Sequence, residues 1–262
     1  MREPAKVVLA PSEPTITFSL NGQAVQAQPG ESILAVAQRE GVEVPHLCWT
    51  PGLEPAGNCR ACVVEVEGER TLAASCCRAA TAGMKVQTES PRARASQRLV
   101  LELLKADQPE ARHTREHELD TWAQRLAVGT SRFPGREPAA SPHPDTSHPA
   151  IAVHLDACIQ CTRCLRACRD EQANDVIGLA LRGPHAQIVF DMGDAMGDSS
   201  CVGCGECVQA CPTGALAPAR GAGRVLPEKS VDSVCPYCGV GCAVTLHVHD
   251  DRIVRVDGRE GP

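Results

Sequence analysis

Sixteen of the 262 residues are cysteine, and they are grouped. Eight form two runs with one spacing, Cys-x2-Cys-x2-Cys-x3-Cys. Cys158, Cys161, Cys164 and Cys168 lie in "CIQCTRCLRAC", and Cys201, Cys204, Cys207 and Cys211 in "CVGCGECVQACP". Four more, Cys48, Cys59, Cys62 and Cys76, follow the spacing Cys-x10-Cys-x2-Cys-x13-Cys, with Cys77 beside the last. Cys235, Cys238 and Cys242 end the series in "VCPYCGVGC". Thiols at this density serve either a secreted disulfide scaffold or a set of metal centres. The opening "MREPAKVVLAPSEPTITF" has neither a long apolar core nor a twin-arginine pair. No apolar run reaches the roughly eighteen residues of a membrane span. A cytoplasmic location is therefore expected, where thiols stay reduced and available to metal. A net charge of −6 and a pI of about 5.9 argue against nucleic acid as a partner.

The paired runs are the most specific signal in the chain. Their spacing is that of bacterial two-cluster ferredoxins, where the fourth cysteine of each run ligates the other cluster. By that likeness one [4Fe-4S] falls to Cys158, Cys161, Cys164 and Cys211, and the other to Cys201, Cys204, Cys207 and Cys168. Pro212 follows the second run, but Arg169 stands where the pattern has a proline after the first. The four thiols Cys48, Cys59, Cys62 and Cys76 suit a [2Fe-2S] cluster, two per iron, and could also hold zinc. The ten-residue gap is long for a zinc knuckle, and the downstream runs favour iron. Gly52, Gly57 and Ala61 keep bulk off this loop, so backbone N–H groups can approach sulfide. Cys77 reads as a small buried hydrophobe or a spare thiol. Spacing alone would let Cys235, Cys238 and Cys242 be half of a zinc ribbon.

The elements around these thiols are short. "TITFSL" and "QAVQAQ" alternate apolar and polar residues and are joined by Asn21-Gly22, a hairpin signal. A helix from about Ser32 to Glu40 stops at Gly41, and "CVVEVEG" and "MKVQTES" read as further strands. Hairpin, helix, ligand loop and strands suggest a small β-grasp domain over residues 12–90. A connector over 91–128 opens at Ser90-Pro91, a capped helix start, with Leu99, Val100, Leu103 and Leu104 as its apolar face. A second helix is expected from about Thr114 to Leu126. His113 and His117, four apart, could share its face and bind metal, although a solvated polar face is the plainer expectation. Residues 129–149 are rich in proline, serine and histidine and read as a linker or wrapping segment. The ferredoxin-type domain spans 150–220, with "DVIGLALRG" and "AQIVFDMGD" as a hairpin between its runs. A last module spans 231–262. The fold class is α+β throughout.

Three stretches carry a family resemblance. "GNCRACVVEVEG" and "ASCCRAATAGMKV" resemble the N-terminal [2Fe-2S] domain of NAD-linked formate dehydrogenases, the large iron–sulfur subunit of NADH:quinone oxidoreductase, and related hydrogenases. In that pattern the distance to Gly83-Met84 makes Cys76, not Cys77, the ligand. Those families commonly continue with a cluster held by one histidine and three cysteines. "ADQPEARHTREHELDTWAQRL" has no cysteine, so that cluster is expected to be missing. "VCPYCGVGC" resembles the opening of molybdenum- or tungsten-bis-pterin oxidoreductases, in which a later cysteine completes a third [4Fe-4S].

From about Thr15 to Gly258 the order of modules resembles the N-terminal iron–sulfur region of the NAD-dependent formate dehydrogenase alpha subunit, ending before the bis-pterin domains. This implies an electron relay with one [2Fe-2S] and two [4Fe-4S] clusters, and a third [4Fe-4S] only with a fourth ligand beyond Pro262. The implied partners are a flavin/NAD-binding subunit, small iron–sulfur subunits and a pterin-containing catalytic domain, with no nucleic acid and no membrane span. The chain itself carries no catalytic substrate residues, so Mo/W-bis-pterin would belong to the longer protein. Two other readings stay open: an iron–sulfur subunit of a hydrogenase or NADH:quinone oxidoreductase, and a non-catalytic carrier or zinc-binding scaffold.

Overall fold

The computed structural model describes residues 15–114, 117–135, 143–220 and 225–259. The chain divides into two compact units, Met1–His46 with Pro55–Val100, and Leu47–Glu54 with Leu101–Pro262.

In the first unit, β1 (Ile16–Leu20) and β2 (Gln23–Ala27) pair antiparallel, with Ile16 opposite Ala27 and Leu20 opposite Gln23. Asn21 and Gly22 turn the hairpin with φ of 51° and 87°, the left-handed pair such a tight turn requires. The Asn21 amide also donates to Thr88 Oγ1 and accepts the Thr88 N–H, both at 2.8 Å. Helix α1 (Ile33–Arg39) starts at Ser32, whose Oγ accepts the Ala35 N–H at 3.2 Å. β3 (Val63–Val66), β4 (Ala73–Ala74) and β5 (Lys85–Gln87) complete a five-stranded sheet in the order β2-β1-β5-β3-β4. β1 and β5 run parallel, as a β-grasp sheet requires, and the other pairs are antiparallel. Phe18, Leu20, Val64 and Val86 from the sheet and Ile33, Leu34, Val36 and Ala37 from α1 form the core. Each of the large side chains contributes about 2 kcal/mol by leaving water.

Helix α2 (Pro91–Ala106) opens with proline at its first position, and Ser90 Oγ accepts the Ala93 N–H at 3.1 Å. Its buried face is Ala93, Gln97 and Leu101, whereas Leu99 and Leu103 are exposed. Of the expected apolar face, Val100 and Leu104 are half-buried beside this stripe, and only Leu99 and Leu103 turn away from it. Gln97 explains the difference. Its Nε2 donates to the carbonyls of Val63 (2.9 Å) and Thr88 (3.1 Å), so a polar side chain takes the middle of the buried stripe.

In the second unit, α3 (Glu118–Arg125) is shorter than the expected second helix. His117 is its N-cap, with Nδ1 accepting the Asp120 N–H at 3.2 Å, and His113 lies before the helix. The two histidines share no helix face, and His117, 4% exposed, is not on a solvated one.

β6 (Ile151–Val153) pairs antiparallel with the last strand of the paired-run module, described below. Helix α4 (Arg163–Arg166) runs into a wider turn over Ala167–Glu171 that carries Cys168. β7 (Ile177–Ala180) and β8 (Gln187–Phe190) form the expected hairpin. Helix α5 (Glu206–Ala210) carries Cys207, and β9 (Leu216–Pro218) closes the module against β6. Ile151, Val153, Val176, Ile177, Ile188, Phe190, Met196 and Leu216 pack with Cys164, Cys168 and Cys207 in one core. Part of the proline-rich stretch, residues 136–142, lies outside the described residues. Beyond it, Asp145 pairs with Val153 and accepts the Met196 N–H at 2.7 Å, so this end wraps onto the module.

β10 (Lys229–Val234), β11 (Ala243–His249) and β12 (Arg252–Gly258) form an antiparallel three-stranded sheet. Asp250 and Asp251 turn β11 into β12 with φ of 48° and 54°. Among the described residues, no helix is long and apolar enough to cross a membrane.

Candidate metal centre

The two cysteine runs share a backbone as well as a spacing. Gln160 and Gly203 stand at one equivalent position with φ of 55° and 68°, and Thr162 and Gly205 at the next with φ of 61° and 87°. These left-handed steps curl each loop and turn its first N–H groups inward. The N–H groups of Gln160 and Gly203 approach the Sγ atoms of Cys158 and Cys201, each at 3.4 Å, and the Leu216 N–H approaches Cys211 Sγ at 3.5 Å.

Each loop walls a cavity. The first is lined by Cys158, Cys161, Cys164 and Cys211 among apolar side chains, including Leu155, Ile188 and Leu216. The second is lined by Cys201, Cys204, Cys207 and Cys168 with Ile151, Ile177 and Met196. Three thiols of each cavity come from one run and the fourth from the other, so the structure brings together the two sets of four expected from the sequence.

The thiols are arranged for metal rather than for acid–base chemistry. Burial, then the neighbouring Cys211, pushes the Cys161 thiol up; burial, then Cys161, does the same to Cys164. Cys207 is pushed up to about 12, again chiefly by burial and next by Cys201. Left alone, these groups keep their protons; a soft metal centre would displace them and hold the thiolates. All sixteen cysteines are thiols and none is in a disulfide. Four converging sulfurs, apolar walls and N–H groups aimed at sulfur fit an iron–sulfur cluster in each cavity.

Two residues absent from the sequence-based site belong to it. Arg163 and Arg166 fill spacer positions in the first run, yet they are 3% and 6% exposed. Arg163 pairs with Glu118 at 2.7 Å and reaches the Leu47 carbonyl at 3.4 Å. Arg166 donates to the Cys48 carbonyl at 2.5 Å, to the Cys161 carbonyl at 3.4 Å and to the Glu54 carbonyl. Leu53 packs against Ala167 and Ala210, the equivalent alanines of the two runs. Comparing the runs position by position would have shown the asymmetry, since Glu206 and Gln209 stand where the first run has its arginines.

Cys48, 1% exposed, thus sits on a short segment anchored in the second unit. In the first unit, Cys62 and Cys76 are buried and their Sγ atoms are 3.3 Å apart, with Cys59 half-buried. Cys77 is exposed rather than buried, 3.5 Å from Cys76 Sγ. A Cβ added to Gly57, which has φ of 64°, would lie 2.8 Å from Cys77 Sγ.

The third thiol group is one open loop. The Cys235 N–H donates to the Cys242 carbonyl at 2.8 Å, while Gly239 and Gly241 turn between them with φ of 76° and 81°. Cys238 and Cys242 are exposed. Near the first cavity, His113 stacks on His154 with centroids 3.7 Å apart and hydrogen-bonds Asp156 at 3.2 Å. One ligand atom from each of His113, His154 and Asp156 lies within 4.8 Å of the other two, so the group is close enough to share an ion as well as a proton.

Residues 13–91 match the 2Fe-2S iron-sulfur cluster binding domain, 157–215 the 4Fe-4S dicluster domain, and 228–261 the molybdopterin oxidoreductase Fe4S4 domain. The chain is similar to an NADH-quinone oxidoreductase subunit of Rhizobium meliloti (strain 1021), with 32% identity over 249 residues, 92% of this chain and 29% of that one. It is 36% identical over 213 residues to an NADP-reducing hydrogenase subunit of Solidesulfovibrio fructosivorans, 77% of this chain and 36% of that one. A solved structure of an NAD+-reducing [NiFe]-hydrogenase in the H2-reduced state superposes with a TM-score of 0.71 at 28% identity, covering 78% of this chain and 87% of that chain. The chain spans about a third of the length of the curated relatives it matches. It carries [2Fe-2S] and [4Fe-4S] cluster-binding domains and is homologous to oxidoreductase subunits of NADH-quinone oxidoreductase and hydrogenase complexes.

Proposed function

We propose that this chain is the iron–sulfur relay of a cytoplasmic formate dehydrogenase alpha subunit, passing single electrons between a Mo/W-pterin site elsewhere in the protein and a NAD-reducing flavoprotein partner. The observation that carries the relay is the pair of cavities, each walled by three thiols of one run and one of the other. Cys158, Cys161, Cys164 and Cys211 would hold one [4Fe-4S], and Cys201, Cys204, Cys207 and Cys168 the second. Cys48, Cys59, Cys62 and Cys76 would hold a [2Fe-2S]. Cys235, Cys238 and Cys242 would supply three ligands of a further [4Fe-4S]. The relay modules are residues 12–90, 150–220 and 231–262, joined by 91–128 and 129–149.

Bound clusters supply one-electron steps with little change in shape. The chain's own work is to hold and tune them. Buried thiolates fix the ligands, apolar walls exclude water, and the N–H groups of Gln160, Gly203 and Leu216 stabilise charge on sulfur. The match at residues 228–261 supports a pterin centre as the electron donor. The names of the relatives support a second reading, in which hydrogen or NADH takes the place of formate.

The test is anaerobic purification with iron and sulfide analysis, followed by EPR of the whole complex mixed with each donor. About ten irons per chain, two plus four plus four, are expected. Zinc in their place would sink the relay. Reduction of the clusters by hydrogen but not by formate would favour the second reading.

A further inference from the structure

Helix α4 places a guanidinium where the sequence shows only a spacer between ligands. Arg166 is 6% exposed, and three carbonyls accept its hydrogen bonds: Cys48 at 2.5 Å, Cys161 at 3.4 Å, and Glu54. One side chain thus joins the main chain of a residue assigned to the [2Fe-2S] set to that of a residue assigned to the first [4Fe-4S] set. All three partners are neutral, and Arg166 Nε has no hydrogen-bond partner among the described residues. Asp170, on which its charge acts, is paired with Arg169 at 2.6 Å instead. Arg163, one turn earlier, has a carboxylate of its own in Glu118.

A buried cation without a counter-ion is costly. Binding carbonyls does not require it, because a neutral amide can donate to them too. Gln209 occupies the equivalent position of the second run. A cluster held by four thiolates is an anion, and reduction makes it more so. A fixed positive charge in a low-dielectric setting therefore favours the reduced form.

We propose that Arg166 is a shared positioning and charge-tuning residue, holding the ligand segments of Cys48 and Cys161 together and raising the reduction potential of the cluster on each. The inference rests on the ligand sets proposed above. Each cluster gains or loses one electron, no bond forms or breaks, and the guanidinium stays protonated throughout.

The experiment is an EPR-monitored redox titration of the anaerobically loaded full chain. Wild type is compared with Arg166→Gln, Arg166→Lys and Arg169→Gln. Arg166→Gln is expected to disfavour reduction about tenfold, about 59 mV for a one-electron couple, at both the [2Fe-2S] and the [4Fe-4S] that Cys158→Ser abolishes. The other [4Fe-4S] should move less. Arg166→Lys, which keeps the charge but loses the fork, should stay near wild type. Arg169→Gln removes an exposed, paired cation and should move nothing. The proposal is overturned if Arg166→Gln shifts neither cluster, or only one of the two. Should that variant fail to load, Arg166→Lys decides: potentials near wild type support the charge, and a tenfold fall refutes it. A wild-type chain without a [2Fe-2S] signal would instead sink the ligand assignment before any variant is compared.

Discussion

Thr162 and Gly205 stand at the same step of the two cysteine runs and share a left-handed backbone, with φ of 61° and 87°. The conformation is set by the loop, because a β-branched residue has been forced into it at one site. Nothing lies within 4 Å of where a Gly205 side chain would begin. Gly205→Ala should therefore meet backbone strain of about 1 kcal/mol, to which a cluster in the cavity that Gly205 lines would add. Chemical denaturation of the iron-loaded protein checks this, and an unchanged or higher midpoint would contradict it.

The exchange of fourth cysteines predicts which substitutions share a phenotype. Cys211→Ser should remove the same EPR signal and the same four irons as Cys158→Ser, and the double variant should lose no more. Cys168→Ser should instead match Cys201→Ser. If Cys211→Ser behaved like Cys207→Ser, each run would be closing on itself.

Gly57 and Cys77 give a paired test. Gly57→Ala would push a methyl to 2.8 Å from Cys77 Sγ and strain a backbone with φ of 64°. We expect a loss of about 2 kcal/mol. Adding Cys77→Ala should recover the part caused by the clash and leave the backbone part. Cys77→Ala alone should keep the iron content of the wild type, whereas Cys76→Ser should lower it by the two irons of one cluster.

His117 makes stability depend on pH. Burial holds its pKa below the usual histidine value of 6.5, with Asp120 opposing and Arg112 assisting. The folded chain thus binds this proton less readily than the unfolded one, so stability rises with pH. The contribution is complete above 6.5 and is lost as pH falls from there through the folded value. His117→Asn keeps an N-cap side chain but cannot titrate. Its denaturation midpoint should fall less than that of the wild type between pH 7 and pH 5, and an equal fall would contradict the assignment.

Features written within a few residues were legible in the sequence. Asn21-Gly22 marks its turn, Ser32 and Ser90 mark their helix starts, and the duplicate spacing marks both cavities. What was not legible depends on partners far along the chain. Arg166 meets Cys48 from 118 positions away, and nothing local separates such an arginine from a solvated spacer. Gln97 was hidden because the leucines nearby drew the apolar stripe partly past it, and only the carbonyls of Val63 and Thr88 explain why an amide is buried there. His117 read as one of two histidines on a solvated helix face, although a residue just before a helix is equally placed to cap it.

Cys211 walls the first cavity and Cys168 the second. As the ribosome extends the chain, the whole first run emerges while its own chamber still lacks a side. With the ligand sets proposed above, maturation would wait until the second run has been made and folded back. A polypeptide interrupted between the runs would have no finished chamber, so this duplication cannot be shortened to half its length and keep half its cargo.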